Sequence, residues 1–183
     1  MTERRELNAT EIRDLLDDIG RRLASRGLEV TALVVGGAAI ALTIGTRDAT
    51  TDVDAVARQA PEVYAIADEI AAEHGLLEGW FNPAAAPWVP PVAYEWSTVQ
   101  IVTGGLTAHL ADPRTLLAMK MLANRARDFD DLIDLARELG LKEPAELLQI
   151  VHAAYPDGVG SKMPTDEDIL IDAAEIIRFA QDA

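Results

Sequence analysis

The amino-acid sequence predicts an α+β fold in which a small mixed sheet with helices is followed by a C-terminal helical layer. Two observations carry this. Short apolar, β-branched segments bounded by glycine or turn residues recur through the first 110 positions, with helical periodicity between them. Beyond Asp112-Pro113 the pattern is helical to the end. The 183 residues suit one domain with a helical extension, which we expect to divide into an α/β core over 1–112 and a helical part over 113–183 packed on it.

Asn8 followed by Glu11 reads as a capping box, and Ile12, Leu15, Leu16, Ile19 and Leu23 recur at helical spacing until Gly27, which predicts a helix over about 9–26. Glu29 to Val35 reads as a buried strand, and a short alanine-rich helix over 38–44 follows Gly36-Gly37. After the turn-rich run 45–51, Asp52 to Ala57 alternates polar and apolar residues as a half-buried strand does. Pro61 opens a further helix reaching about Glu73. Residues 75–94, rich in Gly, Pro, Ala and Trp, are expected to form an ordered but irregular aromatic loop. Its rings, together with Trp96, either stack a base or pack into the core, and packing is the preferred reading. Trp96 to Thr103 and Leu106 to Leu110 read as a hairpin across Gly104-Gly105, and helices are expected over 113–124, 129–139, 144–154 and 166–181.

Composition removes several classes of function. With no cysteine there is no disulfide framework, thiol catalysis or thiolate zinc site, so any metal is held by oxygen or imidazole. His74, His109 and His152 show no helical pairing and give little support to a histidine-rich site. A net charge of −15 disfavours non-specific binding to nucleic acid by charge alone. The apolar stretches are too short or too glycine-interrupted to span a membrane, and the start of the chain lacks a secretory signal, so a cytoplasmic protein is expected. The excess of arginine over lysine and the abundance of alanine point to a GC-rich bacterial genome.

Asp52 and Asp54 are two apart on a predicted strand, which puts both carboxylates on one face with Val53 on the other. Left alone they repel, and a divalent cation between them removes the penalty; oxygen ligation of this kind suits Mg²⁺ or Mn²⁺. Asp-x-Asp also occurs on ordinary solvated strands. Here Gly36-Gly37 adds to it, because glycines that end a strand and open a helix offer bare backbone amides to phosphate.

The arrangement Val35-Gly36-Gly37, short helix, Asp52-Val53-Asp54 resembles the motif of the nucleotidyltransferase superfamily. The run Arg47 to Thr51 is similar to the segment preceding the aspartates in AbiEii and MenT-type bacterial toxins and their relatives. So are the later blocks Gly79-Trp80-Phe81-Asn82, Leu116 to Lys120 and Arg127 to Asp131. The resemblance implies a nucleotidyltransferase-type sheet in which Asp52 and Asp54 hold the metal. Gly36, Gly37, Arg47, Thr50 and Arg127 would bind the nucleotide, and Lys120 and Asp131 would complete the catalytic set. Asp128 reads as a helix cap. The candidate strand 97–103 carries no third carboxylate of the kind many active members use.

The expected activity is transfer of a nucleoside monophosphate from a nucleoside triphosphate (NTP) to an acceptor hydroxyl, with Mg²⁺ or Mn²⁺. By the toxin resemblance the acceptor is tRNA and a cognate antitoxin is the partner. A binding module without turnover and an enzyme acting on an aminoglycoside-like molecule stay open beside it.

Overall fold

The computed structural model describes residues 5–46, 49–57, 61–158 and 164–182. It is a mixed α+β structure, and the chain divides into two compact units, one of residues 1–87 and 97–111, the other of residues 88–96 and 112–183. No described helix is long and apolar enough to cross a membrane.

The first unit is built on a five-stranded sheet of order β3-β2-β1-β5-β4. Its strands are β1 (Val30–Val34), β2 (Val53–Ala57), β3 (Phe81–Asn82), β4 (Val99–Thr103) and β5 (Leu106–Leu110). The central strand β1 runs antiparallel to β2 and parallel to β5, while β2 and β3 are parallel and β4 and β5 form an antiparallel hairpin. Because β1 is flanked on both sides, Ala32, Leu33 and Val34 are fully buried, which accounts for the apolar run that ends the strand, while Thr31 near its start stays exposed.

Three helices belong to this unit: α1 (Ala9–Ser25), α2 (Gly36–Thr43) and α3 (Glu62–His74). Helix α1 starts at the expected capping box, in which the Asn8 side chain accepts from the Glu11 backbone and the Glu11 carboxylate accepts from the Asn8 N–H. Its apolar stripe, Ile12, Leu16, Ile19 and Leu23, is fully buried. Gly20 lets α1 approach the β4–β5 turn: a Cβ there would lie 2.0 Å from the Thr103 carbonyl oxygen, and the Gly105 N–H donates to the Gly20 carbonyl at 2.8 Å.

The second unit contains α4 (Ala93–Trp96), α5 (Pro113–Ala123), α6 (Phe129–Glu138), α7 (Pro144–Ala154) and α8 (Asp166–Gln181). Helix α5 packs on α6 and α7, and α8 on α6 and α7, around Leu117, Met121, Leu135, Leu147, Val151, Ala173 and Ile176. Asp112 caps α5 by accepting from the Arg114 N–H, with Pro113 at the first turn.

The segment 75–94 differs from its expected irregular form. Phe81-Asn82 is a short strand, and Ala93 to Trp96 is a helical turn after Pro90-Pro91, so Trp96 ends a helix instead of opening β4. Trp80 and Phe81 are core residues at 2% and 1% exposure, with the Trp80 indole N–H donating to the Ala67 carbonyl, which leaves these two rings no face for a base. Asp52 lies one residue ahead of β2, although the alternation suggested that it begins the strand.

Among the described residues, strand β3 pairs only with Val53 and Asp54. Further along β2 the Tyr64 hydroxyl takes the place of a strand, donating to the Ala55 carbonyl and accepting from the Ala57 N–H, both at 3.0 Å. Tyr64→Phe strips two backbone groups of their partner and is expected to lower stability by about 1–2 kcal/mol. A fall in melting temperature of several degrees, with little change in circular dichroism, is the expected readout.

Candidate active site

Strand β2 carries Asp54, with Asp52 just ahead of its first residue, between two neighbours that fix its position. Val53 and Ala55 are fully buried, whereas Asp52 and Asp54 are half-buried, as the two-residue period requires. The Val35 N–H donates to the Asp54 carbonyl at 2.9 Å, which ties the end of β1 to the acid-bearing end of β2. The chain then turns into α2 through Gly36, whose φ of +65° lies in the left-handed region. A Cβ at Gly36 would stand 3.0 Å from Asp54 Oδ2, so the carboxylate rests directly against the backbone that opens α2. Val35, at the N-cap position, offers no capping side chain to this helix.

The structure therefore brings Asp54 and Gly36 together, with Gly37 the next residue of α2. Thr50 is 5% exposed; its backbone forms an isolated bridge with Leu7 and its hydroxyl donates to the Asp52 carbonyl at 3.1 Å. That bond positions the backbone of Asp52, so the Thr50 hydroxyl acts on the loop. Arg47 lies outside the described residues.

Asp54 offers carboxylate oxygen, in a chain without thiolate, against a backbone turn that has no side chain to fill it. A hard divalent cation fits such a donor.

Among the described residues, three acidic or imidazole side chains close enough to share an ion occur elsewhere, at Asp18, Glu73 and His74, with ligand atoms within 4.8 Å of one another. A guanidinium already occupies the charge between two of them, because Arg22 donates to Asp18 at 3.1 Å and to Glu73 at 2.5 Å. The Arg22 hydrogen bond holds the Glu73 carboxyl below its ordinary range. We assign this group to the ion pairing of α1 with α3.

In the second unit, Lys120 is 9% exposed, and its ammonium lies 2.7 Å from both Asp128 Oδ1 and Asp131 Oδ2. Asp128 and Asp131 are themselves 8% and 9% exposed. Lys120 is thus buried within its apolar helix and not presented on a solvated face. The side chain of Asp128 makes no capping bond to α6, contrary to expectation, because the buried ammonium is the stronger partner. Arg127 projects from the 3₁₀ turn Ala126–Asp128 as an exposed side chain.

Two residues beside these groups escaped the sequence reading. Asn82 is the in-register partner of Asp54 on β3, and no pattern announces a strand of two residues. The role of Asp128 had a signal, its spacing of three from Asp131 at a helix start, which sets both acids on one side.

Comparison with known families gives one result. The model of a family described as nucleotidyltransferase of unknown function (DUF6036) matches residues 11–148, a span that contains Gly36, Gly37, Asp52, Asp54, Lys120 and Asp131. The mixed sheet and helices are compatible with a nucleotidyltransferase-type fold. No curated protein and no solved structure matches the chain.

Gly36→Ala is expected to cost about 1–2 kcal/mol from the left-handed backbone alone, since a Cβ disfavours that conformation. The new methyl also presses on Asp54. Chemical denaturation of both proteins checks this, and an unchanged midpoint would show that the turn tolerates a side chain.

Proposed function

The chain belongs to this family of nucleotidyltransferases of unknown function, and from that premise we propose that it transfers a nucleoside monophosphate from an NTP to an acceptor hydroxyl with a divalent cation. The observation that carries this reading is the placement of the Asp54 carboxylate against Gly36 at the opening of α2. Asp52 and Asp54 would hold Mg²⁺ or Mn²⁺, which when bound neutralises charge on the reacting phosphates and lowers the pKa of the acceptor hydroxyl. The start of α2, at Gly36 and Gly37, would receive phosphate oxygens on its backbone amides. The acceptor hydroxyl gives up its proton to solvent as its oxygen forms a bond to the α-phosphorus, the bond from that phosphorus to the α–β bridging oxygen breaks, and its electron pair leaves on pyrophosphate.

Lys120 and Asp131 are proposed as further catalytic residues, and Arg47, Thr50 and Arg127 as nucleotide-binding ones, on the strength of the toxin resemblance. For Thr50 we favour a positioning role, given its bond to the Asp52 carbonyl. The same resemblance makes tRNA the first acceptor to test and an antitoxin the first partner.

Two other readings have an observation each. A module that binds nucleotide without turnover is favoured by β4, whose sequence Val99–Thr103 carries no acid. An enzyme acting on a polycationic small molecule, such as an aminoglycoside, is favoured by the net charge of −15.

If Asp52 and Asp54 hold the cation in the folded arrangement, cation and nucleotide bind the folded state only. At a hundred times the dissociation constant, Mg²⁺ with NTP is expected to add about 2.7 kcal/mol and raise the melting temperature by several degrees. Asp54→Asn is expected to remove the metal-dependent part of that rise. An equal response in the variant, or none in the wild type with any NTP, would overturn the reading.

A further inference from the structure

Strand β3 is two residues long, yet it delivers one side chain to the same place as Asp54. In the parallel pairing of β2 with β3, Val53 is in register with Phe81 and Asp54 with Asn82. Register partners on adjacent strands present their side chains to the same face, with backbones about 4.8 Å apart. Val53 and Phe81 are buried at 0% and 1% exposure, so they define the core face. Asp54 and Asn82, both half-buried, share the other face.

The amide of Asn82 is held at both ends by its own loop. Its Nδ2 donates to the Gly79 carbonyl at 3.1 Å, and its Oδ1 accepts from the Ala84 N–H at 2.9 Å. Those two bonds decide which end of the amide is oxygen. A carbonyl oxygen has two acceptor sites, and the Ala84 N–H takes one. Hard divalent cations accept amide oxygens alongside carboxylates, and a neutral oxygen beside two aspartates adds a ligand without adding a third negative charge.

We propose that Asn82 is a further ligand-bearing residue of the Asp52–Asp54 site, supplying a neutral oxygen to the divalent cation directly or through a water bound to it. The inference rests on the cation reading given above. Strand β3 exists, in this account, to set Asn82 beside Asp54, and the Asn82 bonds to Gly79 and Ala84 fix the orientation of its amide.

The test is titration of the full-length protein with Mn²⁺ alone, followed by electron paramagnetic resonance of the free ion, in wild type, Asn82→Ala, Asn82→Asp and Asp54→Asn. Asn82→Ala is expected to weaken Mn²⁺ binding roughly tenfold, in line with the loss of a supporting ligand. Asn82→Asp keeps an acceptor for the Ala84 N–H and offers a stronger oxygen, so it is expected to bind at least as tightly as wild type. If Asn82→Ala does not fold, Asn82→Asp decides alone, and binding weaker than wild type overturns the proposal. Wild-type affinity in Asn82→Ala, or equal weakening in both Asn82 variants, would mean that the residue serves the loop only. Absence of Mn²⁺ binding in wild type, or full binding in Asp54→Asn, would instead remove the cation reading on which the inference stands.

Discussion

The close approach of the Asp54 carboxylate to Gly36 is the constraint around which the first unit is arranged. It requires a residue without a side chain in a left-handed turn, a backbone bond from the Val35 N–H to the Asp54 carbonyl, and β2 lying antiparallel to the central strand β1, whose last three residues are fully buried. Each requirement has a cause elsewhere in the unit. Strand β1 is buried because β5 pairs with its other edge. Beyond Asp54 the Tyr64 hydroxyl satisfies the Ala55 carbonyl and the Ala57 N–H of β2, where β3 has ended. The loop before Asp52 is held by the bridge between Leu7 and Thr50, which ties it to the residue preceding the cap of α1.

The second unit places a different electrostatic arrangement in a helical core. A buried lysine alone would be costly, and a pair of buried acids would repel; together Lys120, Asp128 and Asp131 reduce both penalties through two contacts at 2.7 Å. The left-handed Asn124, at φ 42°, ends α5 and lets the chain return as a 3₁₀ turn followed by α6. That turn is what brings Asp128 back to a lysine eight positions earlier. A strict continuation of α5 would not have produced the same set.

Much of this was legible from the sequence, for identifiable reasons. The capping box at Asn8 and Glu11, the apolar run of β1, the Gly104-Gly105 hairpin and the four long C-terminal helices all carry local signals of several residues each. The pairing of Gly36 with Asp54 followed from the spacing of strand, glycines, helix and strand. What escaped was decided by partners distant in sequence. Strand β3 is too short to show a period and exists through its pairing with Val53 and Asp54. Nothing local to Tyr64 announces the two bonds its hydroxyl makes to β2. Asp128 sits where a cap belongs, and a buried ammonium claims its carboxylate instead.

The central claim is that the Asp52–Asp54 pair supports nucleotidyl transfer. It is tested most directly by incubating the purified protein with Mg²⁺, each α-labelled nucleoside triphosphate in turn, and heat-treated cell extract as a source of RNA and small-molecule acceptors. The account predicts that label moves from one triphosphate onto an acceptor, with pyrophosphate released, and that Asp52→Asn abolishes the transfer while remaining folded. Transfer by the variant at the wild-type rate, or no movement of label from any of the four triphosphates, would contradict it.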